Sequence, residues 1–423
     1  MRLAVFTSKY PARVATFFER DMRALLQAGV EIDVFAIYPL DARLWRYGLG
    51  LMGEDVLPKS RMHHLGFAAS LRQAKPWRLR ELGVVLREAA AVGASAARFG
   101  VRPLANSLYV LPKAWAWGGA AEHRDRYDHV LAYWGNYAGT CAYLFHRLID
   151  RPIPFSLWLH AGTDLYYKPI YLEQKLRYAD SIITCCEFNR DFITEHYAAA
   201  VPGVAERLHV TYHGLNLARF PYRPHGRPPA RVIAVGRLEE DKGFGYLLQA
   251  ARLLRDRGLA IEVEIVGDGS QLGALRALAA RLGMTHRVRF RGWLEFDEVR
   301  LAMSEATVLV HPSAGLGDGL PNVLREAMAL GTPVIASRVA GIPEALDDGR
   351  CGLLVPPADV PALADAIGRL LRDAGLRETF ARLGRQRTEE KFDMWPNGAR
   401  LADHLRAVRR TAPATRVLAA APA

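Results

Sequence analysis

Two cations, Arg237 and Lys242, stand five residues apart on a segment that leads from the apolar run Val232 to Val235 into a helical pattern. An arginine can grip two phosphate oxygens at once, a lysine brings a mobile point charge, and the first amides of a helix add donors. Such a loop suits a diphosphate. The same cations could instead pair with Glu239, Glu240 and Asp241 on a solvated turn, and the loop alone does not separate the two readings. Further on, Asp318 and Glu326 lie eight residues apart with a helix predicted to begin between them. The loop acid can reach one part of a ligand and the helical acid another, with main-chain amides between. Carboxylates so placed fit sugar hydroxyls. The alternative is a helix-capping acid at 318 and a core-edge acid at 326.

Other chemistries are less well served. Cys185 and Cys186 are adjacent, Cys141 and Cys351 stand alone, and no zinc-type spacing occurs, so the thiols read as small buried hydrophobes. No D-x-D triplet occurs anywhere, so no metal or other cofactor is expected, and diphosphate charge would be met by Arg237, Lys242 and helix amides. Gly267-Asp268-Gly269, with Gly273 beyond, resembles a dinucleotide-binding turn. The ribose-binding acid expected about 20 residues later is missing, since no acid stands between Asp268 and Glu295. The segment is expected to form a tight turn lining a cleft.

Positioning these residues takes a parallel sheet. In the second half, strands are predicted at Val232 to Val235, Ile261 to Val266, Val288 to Phe290, Val308 to His311, Pro333 to Ala336 and Leu353 to Val355. Helical patterns near 243–257, 272–282, 297–304 and 322–330 alternate with them, and a long helical stretch from about 362 to 410 follows. The first half has the same rhythm at Leu3 to Phe6, Ile32 to Ile37, His129 to Ala132, Phe155 to Leu159, Ile182 to Thr184 and Leu208 to Thr211. Residues 41–120 contain helical pieces that the sequence does not individually assign. At 423 residues, two doubly wound α/β domains are expected. The first would run over 1–216, a proline-rich hinge over 217–230 and the second domain over 231–392. A last helix over 393–423 would cross back to the first domain before a flexible tail beyond 411.

The net charge of +12 calls for anionic company. The arginines are dispersed and no nucleic-acid motif accompanies them, so no nucleic acid is expected as a partner. No run of 18 apolar residues occurs, and the start reads as a strand rather than a signal peptide. The expected location is cytoplasmic, with peripheral attachment to the inner face of the cell membrane left open. Residues 72–88 motivate that, mixing Arg72, Lys75, Arg78, Arg80 and Arg87 with Trp77, Leu79, Leu82 and Leu86. Such a mix suits an anionic interface and equally suits a helix packed on the core.

The string Gly317-Asp-Gly-Leu-Pro-Asn-Val-Leu-Arg-Glu-Ala-Met-Ala-Leu-Gly-Thr-Pro-Val-Ile-Ala-Ser resembles the retaining glycosyltransferases of family 4, which have the GT-B fold. So do Val235-Gly-Arg-Leu with Lys242-Gly243, the turn Gly267-Asp-Gly, and Gly341-Ile-Pro-Glu through Gly352-Leu-Leu-Val-Pro-Pro. The resemblance implies two Rossmann-like domains facing a central cleft. It also implies metal-independent transfer, with retention, from a nucleotide-sugar donor to a glycan or lipid-linked acceptor. Arg237 and Lys242 would hold the diphosphate, Asp318 would face the donor sugar and Glu326 the ribose, and Gly319, Leu320, Pro321 and Asn322 would surround sugar and phosphate. The family usually has Glu where Asp318 stands, so its reach is shorter.

In the first half, Thr16-Phe17 with Arg20, Trp158 to Asp164 and Tyr212 to Asn216 resemble family segments, with Asn216 replacing the usual Asp. His160 would contact the donor sugar near the reacting carbon, or else be a hydrogen-bonded strand-end histidine without a role in turnover. Ser8 to Val14 replaces a glycine-rich loop of some members, and acceptor binding would depend on it. A nucleotide-sugar epimerase of the same fold and a non-catalytic nucleotide- or glycan-binding relative are the competing readings. The Asp318 to Glu326 string favours transfer over the first, and the intact cations and acids argue against the second.

Overall fold

The computed structural model describes residues 1–10, 16–38, 57–74, 79–149, 151–228 and 230–410. The chain forms two compact units, Met1–His213 with Trp395–Ala423, and Gly214–Met394.

The first unit begins with β1 (Arg2–Thr7), α1 (Thr16–Gln27), β2 (Glu31–Ala36) and β3 (Met62–His64). Four helices follow: α2 (Phe67–Gln73), α3 (Leu79–Ala97), α4 (Val101–Gly119) and the short α5 (Ala121–Arg124). Then come β4 (His129–Ala132), α6 (Tyr137–Ile149), β5 (Phe155–Leu159), α7 (Leu172–Tyr178), β6 (Ser181–Thr184), α8 (Glu187–Tyr197) and β7 (Leu208–Val210). The seven strands lie in the order β3-β2-β1-β4-β5-β6-β7, all parallel. Helices cover both faces of a parallel sheet, so its central strands read as mostly apolar runs rather than as an alternation. Leu3, Ala4, Val5 and Phe6 accordingly split between two cores, one on each face.

The second unit runs β8 (Arg231–Val235), α9 (Phe244–Asp256), β9 (Glu262–Val266), α10 (Leu272–Arg281), β10 (Val288–Gly292), α11 (Phe296–Glu305), β11 (Val308–His311) and α12 (Asn322–Ala329). It ends with β12 (Val334–Ser337), the single turn α13 (Ile342–Ala345), β13 (Leu353–Val355), α14 (Val360–Arg372) and α15 (Ala374–Lys391). Its parallel sheet has the order β10-β9-β8-β11-β12-β13. In both sheets the winding reverses at one point, between β1 and β4 and between β8 and β11. Loops leaving the carboxyl ends of strands at such a reversal splay to opposite faces and leave a crevice, the usual ligand position in this architecture.

Every predicted strand is present with ends shifted by at most about two residues. β3 was not foreseen, because three residues with two histidines carry no strand signature. The long C-terminal helical stretch is three helices. Asp373 ends the first and caps the second, accepting from Leu376 N at 2.8 Å. Asp393 forms a bridge with Leu215, after which α16 (Met394–Ala407) starts. From Trp395 onward α16 packs in the first unit, where Leu401 and Leu405 join the core around Leu3 and Val5. The chain passes between units at His213–Gly214 and Met394–Trp395, upstream and downstream of the proline-rich segment. That segment belongs to the second unit. Arg227 donates to the carbonyls of Met303, Ser304, Ala306 and Leu330 there. Prolines exclude helix and ladder, but an arginine with this many acceptors still fixes the backbone. Residues 411–423 lie outside the described residues, as do 11–15 of the first loop and 39–56 and 75–78 of the unassigned stretch.

Candidate functional site

In the second unit the predicted residues gather where the sheet order reverses. After β8 the chain makes a short turn at Glu240–Lys242 and enters α9 through Gly243. Gly243 has φ +68°, and a Cβ there would stand 2.0 Å from the Pro312 carbonyl oxygen. Only glycine lets the loop after β8 approach the loop after β11 this closely. The contact is locked by backbone bonds, with Ala314 N and Ser313 Oγ donating to the Asp241 carbonyl at 2.8 and 3.0 Å. The loop after β9 is stitched on in the same way. Leu238 N donates to the Asp268 carbonyl at 2.9 Å and Gln271 N to the Leu238 carbonyl at 2.8 Å. Gly267, at φ +136°, leaves no room for a Cβ, which would lie 1.9 Å from Gly236 O. The Gly267-Asp268-Gly269 turn therefore serves close backbone packing between strand-end loops.

This scaffold holds a three-residue charge cluster. Lys242, buried, donates through Nζ to Asp318 Oδ1, and His311 Nε2 lies 2.9 Å from Asp318 Oδ2. Burial alone would raise the Asp318 pKa. The hydrogen bond and charge of His311, with the charge of Lys242, outweigh it and hold the carboxyl well below the usual carboxylate range. Lys242 thus pairs with none of the three acids of its own turn. Arg237 is exposed and its guanidinium makes no hydrogen bond among the described residues, although, after the hydrogen bonds from Ser270, its charge helps hold the Glu239 pKa down. The solvated-turn alternative therefore fails for Lys242. Asp318 is likewise no helix cap, since the N-cap of α12 is Pro321 and no side chain caps it.

Gly319, Leu320 and Pro321 are buried, while Asn322 and Glu326 are half-buried. Arg325, fully buried, holds this stretch from beneath, donating to Asn322 Oδ1 at 2.5 Å and to the Leu320 carbonyl at 3.4 Å. Sequence reasoning missed two members, His311 and Arg325. A histidine ending an apolar strand seven residues before Asp318 was a usable signal. Arg325 gave none, because an arginine inside an amphipathic helix reads as surface.

In the first unit a second cluster forms beyond the ends of β4, β5 and β7. His160 follows β5 and is buried among Trp134, Tyr133 and Phe17, with ring centroids 4.4, 5.1 and 5.6 Å away. Neither ring nitrogen has a hydrogen-bond partner among the described residues. The Asp164 carboxylate, at 3.8 Å, is too far to bond. Asp164 instead accepts from Gly135 N at 2.9 Å and Asn136 N at 3.3 Å, and so positions the loop before α6. His213 stacks on His160 with centroids 5.0 Å apart and rings 3° from parallel. Its Nδ1 lies 2.6 Å from Asp21 Oδ2, which also accepts from Tyr133 OH at 2.5 Å. Asp21, one turn into α1, was not foreseen. The hydrogen-bonded histidine of this cluster is thus His213 and not His160.

All four cysteines are buried, and none is in a disulfide. No group of three or more His, Cys, Asp or Glu side chains suited to a metal ion occurs among the described residues. No helix of the described residues is long and apolar enough to cross a membrane.

Two doubly wound parallel sheets, with strand-end loops of this kind in each, are the GT-B plan, and this chain is a glycosyltransferase. Its residues 229–373 match the family model of the glycosyl transferases group 1. It is 28% identical over 388 residues to the amylovoran biosynthesis glycosyltransferase AmsK of Erwinia amylovora, covering 88% of this chain and 90% of that one. The colanic acid biosynthesis glycosyltransferase WcaL of Salmonella typhimurium, a putative assignment, is 26% identical over 432 residues, with 96% of this chain and all of that one covered. Among solved structures, Anabaena HepE in complex with UDP-glucose superposes with a TM-score of 0.68 at 17% identity, over 96% of this chain and 99% of that one.

Proposed function

We propose that this glycosyltransferase builds a cell-surface polysaccharide or glycolipid by retaining, metal-independent transfer from a nucleoside-diphosphate sugar to a hydroxyl acceptor. The observation that carries the reading is the Lys242–Asp318–His311 cluster, with the exposed Arg237 on the same loop after β8, at the reversal point of the β8–β13 sheet. Two cations and the amide-rich loops between them supply fixed positive charge for a leaving diphosphate, where it acts without the reorganisation water would need. Lys242 can bridge, since an ammonium has three protons and Asp318 takes only one. Asp318, kept ionised by its partners, accepts from a sugar hydroxyl, while Glu326 faces the ribose and residues 319–322 line sugar and phosphate. For His160 we assign a contact to the sugar ring, supported by its two buried, unbonded nitrogens.

The likeness to family 4 supports retention. The acceptor oxygen forms its bond to the anomeric carbon on the face from which the phosphate oxygen departs, and that phosphate takes the acceptor proton. The relatives named for amylovoran and colanic acid assembly support a polysaccharide role. HepE, held with UDP-glucose, supports a UDP-sugar among the donors to test first.

The test is a panel of UDP- and GDP-sugars incubated with the protein and a lipid-linked or oligosaccharide acceptor, with the anomeric proton coupling of the product read by NMR. A product of unchanged anomeric configuration is expected. An inverted product, or a donor converted to its epimer without any acceptor, would overturn the proposal.

A further inference from the structure

The helices between β3 and β4 leave an apolar face uncovered. In α3, Val85, Glu88, Val92 and Ala96 turn inward. The opposite side carries Leu86, 61% exposed, followed at helical spacing by Ala90, Ala94 and Ala97. In α4 the stripe continues through Val101, 83% exposed, Ala105 and Leu108. The two helices are joined by a turn of three residues and pack directly, a Cβ at Gly93 lying 3.8 Å from Leu104 Cδ1. α2 extends the face, with Phe67 stacked on Tyr109 of α4 (5.2 Å, 11°) and Leu71 exposed one turn on. Single exposed apolar residues are ordinary, but stripes on adjoining helices form a patch of the sort that marks an interaction site.

The charges on this face select the partner. Between residues 57 and 119 the sequence has ten lysines and arginines against two acids, Glu81 and Glu88. Glu88 is buried and taken up by Arg147 and the Tyr171 hydroxyl. Arg72, Arg87, Arg98 and Arg102 are exposed beside the stripes. Apolar side chains fringed by cations, with Glu88 turned inward and buried, are the composition of an element lying in a lipid interface. The sequence had suggested residues 72–88 alone. Of its apolar stripe Leu86 is exposed but Leu82 is half-buried, and 75–78 lie outside the described residues. The surface is instead formed by three helices together.

We propose that the exposed face of α2, α3 and α4 docks this protein on an anionic lipid bilayer, apolar side chains entering the headgroup boundary and the four arginines meeting lipid phosphates. The assay needs no sugar donor, so its outcome is independent of the donor-site reading. Full-length protein is sedimented with phosphatidylcholine vesicles and with vesicles containing phosphatidylglycerol, at low and high salt. Wild type is expected to pellet only with the anionic vesicles, and less at high salt. Replacing Arg72, Arg87, Arg98 and Arg102 by Ser should weaken binding roughly fivefold per residue. Leu86→Ser with Val101→Ser and Leu108→Ser should also reduce pelleting. Unchanged melting temperatures and circular dichroism verify that both variants fold. Equal pelleting with neutral vesicles, or variants that pellet like wild type, would overturn the proposal. So would concentration-dependent self-association without vesicle binding, abolished by the leucine and valine changes, which would assign the face to a second copy of the chain.

Discussion

His213 Nδ1 stands 2.6 Å from Asp21 Oδ2, a buried pair beneath the stacked ring of His160. Burial pulls the His213 pKa down, but the charge and hydrogen bond of Asp21, with Cys185 beyond, raise it above the ordinary value. A raised folded pKa means the pair's stabilisation is fully present below the unfolded value, about 6.5, and is lost as pH rises through the folded one. Each unit of elevation corresponds to about 1.4 kcal/mol. Urea unfolding between pH 6 and 9 should therefore show stability falling with pH, and Asp21→Asn should flatten that slope. Both proteins should carry Cys185→Ser, so that the neighbouring thiol does not titrate. Parallel curves for the two would remove the pair from the pH dependence.

Arg237→Ala should cost nucleoside-diphosphate affinity and nothing else. The guanidinium is exposed and bonds no described residue, so the fold does not depend on it. A charge-assisted phosphate contact of about 1.5–3 kcal/mol predicts a ~10- to 100-fold loss. Lys242→Ala differs, because it leaves the Asp318 charge buried with His311 as its only partner in the cluster. Removing one member of such a pair costs on the order of 3–5 kcal/mol. Calorimetry with UDP and GDP, paired with thermal melts, separates the two. Full affinity in Arg237→Ala would place the diphosphate elsewhere.

Gly243→Ala and Gly267→Ala should each damage donor binding without touching a charged group. Both positions have positive φ, and the added Cβ would meet a backbone oxygen at 2.0 or 1.9 Å. Strain of about 1–3 kcal/mol from the dihedral alone, with the overlap added, must separate the strand-end loops. A melting temperature lowered by several degrees is expected, with weaker UDP or GDP binding. Gly258→Ala is the control. It has φ +81° but open space around it, so it should destabilise without changing affinity.

Transfer should survive EDTA. Arg237 and Lys242 supply at the strand ends the charge that a divalent ion would otherwise bring. Activity assayed after dialysis against chelator, with and without added Mg²⁺ or Mn²⁺, should change less than about twofold, the scatter expected where no phosphate contact worth ~1.5 kcal/mol is lost. Abolition by chelator and recovery with metal would contradict the assigned site.

The sheet was legible because its strands are buried on both faces. Runs such as Val308 to Val310 and Leu157 to Leu159 are apolar and fully buried, and polar residues follow them. Loop residues were legible by type but not by partner. Lys242 lies within three residues of three acids, yet bonds one 76 positions away, a distance no local pattern conveys. Asp21 and Arg325 sit in amphipathic helices, where a charged residue reads as solvent-facing, and only tertiary packing shows that both are buried. The uncovered face of α2 to α4 was half visible for the same reason. Periodicity gives a helix its apolar side, but not whether the core or something else covers it.

Asp318→Asn and Glu326→Gln should move binding and turnover in different directions. Asp318 neutralises the Lys242 ammonium, so an amide in its place releases that charge toward the diphosphate. UDP or GDP should then bind Asp318→Asn as tightly as wild type or more tightly. Turnover should fall, because a carboxylate contact to the reacting sugar that strengthens as positive charge develops is lost. Glu326 lies four residues, about one helical turn, beyond Asn322, where the stretch held by Arg325 ends, and a ribose contact there is made alike in ground and transition states. Its loss should raise KM and the nucleotide Kd by about the same factor and leave kcat nearly unchanged. Titration calorimetry with UDP and GDP gives the first quantity, and initial rates over a donor series give the second. Weaker nucleotide binding in both variants, with kcat reduced alike, would mean the two acids do not divide sugar from ribose.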